Sequence, residues 1–81
     1  MSKLPFKEKE RLKWQCRRGM LELDCLLEHF LHEHYDQLPE QLQRAFRQLL
    51  READPHLFHW LINAPEDAPD RYRELLQQMR T

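Results

Sequence analysis

The sequence contains no valine, a single isoleucine at Ile62, and threonine only at Thr81. Residues that fit a pleated, half-buried surface are nearly missing, so a sheet is not expected. Serine occurs once, at Ser2, and no acid or oxyanion element accompanies it, which leaves no serine-type triad to assemble. Two cysteines, Cys16 and Cys25, stand nine apart with no CxxC pair and no secretory leader, and they read as reduced thiols of a bacterial cytoplasmic protein. No apolar run approaches the roughly 20 residues that span a bilayer, so direct membrane insertion is not expected. There is no internal repeat, linker or low-complexity tract.

What is present is helical. Leu, Glu, Gln, Arg and Lys dominate, and 41% of residues are apolar despite a mean hydropathy of -0.90. The apolar residues are periodic, which disorder does not require. The net charge of -1 hides two opposed segments. Residues 3–18 hold seven basic and two acidic side chains, and residues 19–36 hold five acidic and no Lys or Arg. Successive helices of opposite charge can attract each other, so this asymmetry does not call for a nucleic-acid partner.

Residues 1–81 form one domain, for which five short helices predict an all-α, single compact five-helix bundle. Helix one spans about residues 5–17, with Pro5 in its first turn and a sparse apolar set of Phe6, Leu12, Trp14 and Cys16. Helix two follows Gly19 and reaches Tyr35, with Leu23, Leu26, Leu27, Phe30, Leu31 and His34 on one face. Helix three starts at Pro39 and repeats the pattern from Leu42 to Ala53, with Arg44, Arg47 and Arg51 as a solvated stripe. Asp54 reads as the N-cap of a fourth helix, with Pro55 at its first position, Leu57, Phe58 and Leu61 at the bundle centre and Trp60 at its edge. Asn63 is placed to end that helix in the left-handed conformation. Asp70 or Pro69 opens helix five, which buries Tyr72, Leu75, Leu76 and Met79.

Two pairs three residues apart, His29 with His32 and His56 with His59, invite a metal reading, but no cysteine has the spacing to complete a tetrahedral set. No metal is assigned. Catalysis by this chain alone is not expected either, so the reading is a non-enzyme. Basic residues around Trp14 raise nucleic-acid binding as a weaker alternative, which the acidic second helix opposes.

The remaining signal is "RRGMLELD", residues 17–24, around the one glycine. Gly19 closes helix one and opens helix two, and with Gly19 as N-cap Glu22 falls at N3, where its carboxylate reaches back to the cap amide. The same geometry holds Arg17, Arg18, Gly19, Glu22 and Asp24 at a tight corner that a partner's backbone can approach.

Trp14, Cys16 and the RGxxE motif at Arg18, Gly19 and Glu22 resemble the SdhE-type succinate dehydrogenase assembly factors. The resemblance continues through "HEHYD" and through Asp54, Leu57, Phe58, Trp60 and Leu61, and covers the chain from about Arg11 to Met79. It implies a five-helix protein that assists covalent attachment of FAD to a histidine of the flavoprotein subunit of succinate dehydrogenase and, in bacteria, of fumarate reductase. It implies further that Arg18, Gly19 and Glu22 form the client-binding surface, and that FAD is the client's cofactor, with none firmly bound to this chain. A monomer without nucleic acid is expected. The competing reading is an antitoxin-like regulatory module, a role also attached to this family. The sequence departs from some members by ending at Thr81 and by carrying Asn63 where many have glycine; neither touches the motif.

Overall fold

The computed structural model describes residues 6–80, and over them the chain is all-α. Its helices are α1 Phe6–Gln15, α2 Leu21–Glu33, α3 Glu40–Leu49, α4 Asp54–Phe58 and α5 Asp70–Arg80. A 3-10 turn, Tyr35–Gln37, joins α2 to α3; a π-helical turn, His59–Asn63, continues α4; a second 3-10 turn, Pro65–Asp67, leads into α5. Pro5 lies outside the described residues, as does the side chain of Phe6.

The core is built from the predicted stripes. Leu23, Leu27, Phe30 and Leu31 of α2 face Leu42, Ala45, Phe46 and Leu49 of α3 and Tyr72, Leu75 and Leu76 of α5, all buried. The Phe46 ring meets those of Phe30 and Tyr35 at 5.5 Å each, tilted as aromatic pairs prefer. α1 and the turn that follows it join through Leu12 and Cys16, four residues apart and both buried, while Trp14 between them points to solvent. A further tie is Lys9, whose Nζ sits 3.0 Å from Asp36 Oδ2 and over the Tyr35 ring.

Several expectations fail for local reasons. His34 is exposed because α2 ends before reaching it; its N–H donates to the Phe30 carbonyl as a C-cap. Arg47 leaves the solvated stripe to donate to the Tyr35 hydroxyl at 2.6 Å. Gln43, absent from the predicted core, is buried because its amide donates to the Tyr35 carbonyl at 2.8 Å and so serves the 3-10 turn. Ala53 is exposed and is itself the residue preceding α4, so Asp54 is its first residue and no N-cap. Asn63 does not adopt the left-handed conformation: among the described residues no non-glycine has positive φ. The helix instead widens into the π turn, the Ala64 N–H donating to the His59 carbonyl at 2.6 Å. That widening breaks the 3.6-residue register after Leu57, which is buried, and Leu61 inside the turn is only half-buried; Phe58, the last residue of α4, is half-buried as well. Trp60 does pack at the core's edge, stacked on His56 and facing Tyr72.

Candidate functional site

Between α1 and α2 the chain reverses over residues 16–20. Gly19 has φ +82°, a left-handed value that L side chains resist by about 1–2 kcal/mol. A Cβ built there would meet nothing within 4 Å. Glycine is therefore demanded by the backbone alone, and the corner's outer side is open to solvent.

Gly19 is not the N-cap of α2. Met20 holds that position, in extended conformation and without a side-chain cap bond. Glu22 is displaced to the second helical residue, where it is exposed and its carboxylate has no partner among the described residues. The capping falls to Asp24 instead. Its Oδ1 accepts the Arg18 N–H at 2.6 Å and its Oδ2 the Gly19 N–H at 3.2 Å. One carboxylate thus clamps two consecutive amides at the positive end of α2.

Arg18 turns inward, with 16% of its side chain exposed. Nη2 donates to the Leu50 carbonyl, and Nη1 lies 3.4 Å from both the Glu52 carbonyl and Asp54 Oδ1. Leu50 is the C-cap of α3, so the guanidinium meets the negative end of that helix and ties the corner to the α3–α4 link. The same link carries Glu52, whose Oε2 accepts the Tyr72 hydroxyl at 2.7 Å and an Arg71 N–H at 3.3 Å. The Tyr72 hydrogen bond holds the Glu52 carboxyl below its ordinary value of 4.5, with Arg71 and His56 adding to it against the opposing effect of burial. A continuous set of polar contacts therefore runs from the corner to α5.

Arg17 behaves differently. It is exposed, with Nε 3.5 Å from Glu28 Oε2 and its guanidinium 5.4 Å from the centre of the Trp14 ring. Trp14 is 69% exposed and Leu21, the first residue of α2, is 79% exposed. Leu21 escapes the sequence reading, although its position off the Leu23–Leu27–Phe30 stripe is a visible signal.

Cys16 is fully buried and its thiol is pushed up to about 12, by desolvation first and then by Glu28 and Asp24 against Arg18, so no thiolate nucleophile forms near neutral pH. The histidines of each HxxH pair go to separate partners: His29 to the His34 ring, His32 to Glu33, His56 to Trp60 and Glu52, His59 to Asp67. Among the described residues no group of three or more His, Cys, Asp or Glu could hold a metal. No helix is long and apolar enough to cross a membrane, again among the described residues.

Fold and corner together define a small all-α protein whose distinctive chemistry lies on an outward, internally braced edge. The chain belongs to the family described as flavinator of succinate dehydrogenase, which it matches over residues 10–81. It is similar to the FAD assembly factor SdhE of Idiomarina loihiensis, 42% identical over 74 residues that cover 91% of this chain and 82% of the relative. The Photobacterium profundum protein of that name is 52% identical over 62 residues, 76% of this chain and 70% of the relative. That of Legionella pneumophila strain Paris is 50% identical over 60 residues, 74% and 76%. No solved structure matches the chain.

Proposed function

We propose that this protein promotes covalent attachment of FAD to the flavoprotein subunit of succinate dehydrogenase, and of fumarate reductase as a second client, by binding and ordering that subunit. The observation that carries the reading is the exposed carboxylate of Glu22, without a partner among the described residues, on the same corner as the bare backbone of Gly19, where Arg18 and Asp24 are committed internally. Arg17, Gly19 and Glu22 face the client; Arg18 and Asp24 contribute by fixing the shape they present. Support comes also from the family and from relatives that carry the name FAD assembly factor.

The helper is not itself an enzyme. The flavin supplies the electronic activation when bound to the client, and this chain's one glycine is already committed to the corner, which leaves no glycine-rich phosphate cradle. Holding a mobile client domain in its reactive arrangement removes an entropic part of the barrier, worth up to several kcal/mol. A braced corner suits that task, because a clamp that is already ordered loses little entropy on binding.

The test is flavinylation of the purified apo-flavoprotein subunit with free FAD, with and without this protein, read by in-gel flavin fluorescence. Wild type should accelerate covalent incorporation at least tenfold, and Glu22→Gln should lose most of that gain while unfolding at the wild-type temperature. Equal rates with and without the protein sink the function; normal rates with Glu22→Gln sink the role of the charge.

A further inference from the structure

Beyond Glu22 the outer face of α2, the π turn and the end of α5 border an open groove of about 480 Å³. Leu26, Ile62 and Met79 line it, and each is only half-buried despite being apolar. Cys25 and His29 form the exposed wall. On a helix, residues four apart lie one above the other. Two ridges therefore run from the corner into the groove: Leu21, Cys25 and His29, all exposed, and Glu22 with Leu26.

Charge says what the groove accepts. Residues 19–36 carry five carboxylates and no Lys or Arg. Two of those carboxylates near the corner are already engaged, Asp24 by backbone amides and Glu28 by Arg17. Glu22 is the one carboxylate among the residues lining the groove and has no cation partner among the described residues; His29 and His34, edge to face with each other, line the groove beside it. A carboxylate at the mouth of an apolar floor favours a segment with a positive side chain at one end and an aliphatic or aromatic one a few residues away.

We infer that this groove receives an apolar segment of the client flavoprotein carrying a Lys or Arg, the cation paired with Glu22 and the apolar side chain seated on Leu26, Ile62 and Met79. The inference rests on the client-binding reading and extends it from the corner along two turns of α2. The client is gripped at two kinds of contact, a charge pair at the corner and an apolar anchor in the groove, and the anchor fixes which segment of the client is held.

Cys25 reports on the groove directly. It is exposed while Cys16 is buried, so N-ethylmaleimide modifies Cys25 selectively. Saturating apo-flavoprotein subunit should slow that modification at least tenfold. Cys25→Trp, which fills the groove mouth from its solvent side, should weaken client binding at least tenfold with an unchanged circular dichroism spectrum, whereas Gln48→Trp on the solvent face of α3 should leave binding intact. Glu22→Lys should bind at least threefold more weakly than Glu22→Gln, because it repels the client's cation. If the client binds wild type but leaves Cys25 equally reactive and tolerates Cys25→Trp, the groove inference is overturned and the corner reading stands. If Glu22→Lys and Glu22→Gln bind alike, the paired cation is overturned. If wild type binds no client, the client-binding reading falls and the groove inference with it.

Discussion

Arg18 is the residue on which the fold and the motif make different demands, and truncating it separates them. Its one close contact is a charge-assisted hydrogen bond to the Leu50 carbonyl at the end of α3; the other two, to the Glu52 carbonyl and Asp54, are 3.4 Å and geometrically weak. A hydrogen bond to a charged group contributes about 1.5–3 kcal/mol, and long contacts add little to it. Against that stands Nε, buried without a partner, whose desolvation cost disappears with the side chain. Arg18→Ala should therefore destabilise by about 2 kcal/mol net, which for a domain of this size lowers Tm by roughly 8–16 °C. Urea and thermal unfolding followed by circular dichroism measure both quantities. Asp54→Asn should cost under about 0.5 kcal/mol, because that carboxylate is 42% exposed and its pair with Arg18 is long. An Arg18→Ala protein with wild-type stability and no flavinylation activity would refute the bracing role and make Arg18 a direct contact with the client.

Three further outcomes test the corner and its bracing. Gly19→Ala should lose about 1 kcal/mol of stability through its positive φ alone, since a Cβ there meets nothing, and Gly19→Asn should lose less; equal unfolding midpoints for all three proteins would contradict a left-handed Gly19. Asp24→Ala should cost about 1–2 kcal/mol in urea unfolding while Glu22→Gln stays within about 0.5, and the reverse order would restore Glu22 as the cap. The folded-state pKa of Glu52 is lowered, so its carboxylate stabilises the native state above the ordinary value of 4.5, and that contribution is lost as pH falls through 4.5 towards the lower folded value. Glu52→Gln should accordingly show a flatter decline of stability below pH 4.5 than wild type, and parallel curves would exclude the Tyr72–Glu52 hydrogen bond as a source of acid sensitivity.

The helical architecture is legible in the sequence because burial in it follows period. Leu23, Leu27, Phe30 and Leu31, or Leu42, Ala45, Phe46 and Leu49, announce both the helix and the face it buries. The departures occur where the period stops holding. His34 is one residue past the end of α2, and Leu61 lies within a π turn, entered just after Phe58, that no spacing rule foresees. Gln43 and Arg47 are polar residues drawn inward by acceptors on Tyr35, a long-range pairing that no local pattern encodes. The unusual backbone of Gly19 was legible because a lone glycine between two helical patterns has few other uses.

The corner itself was half legible, and the missing half alters what its residues do. Placing Gly19 as N-cap puts Glu22 at N3 and gives its carboxylate an intramolecular partner. The chain takes one more residue before α2 begins, and that single step moves Glu22 off the cap and leaves the exposed amides of Arg18 and Gly19 to Asp24. Asp is shorter than Glu by one methylene, and from the fourth helical residue it closes two bonds to the corner without a long flexible stem to order. At the second helical residue Glu22 has no hydrogen-bond or ion-pair partner among the described residues and gains only the weak attraction of the helix's positive end, so it contributes little to the fold and keeps its hydrogen-bonding capacity for a cation from outside. Motif residues Arg18 and Gly19 then serve the geometry of the corner, and Glu22 is the one whose charge the fold leaves unused.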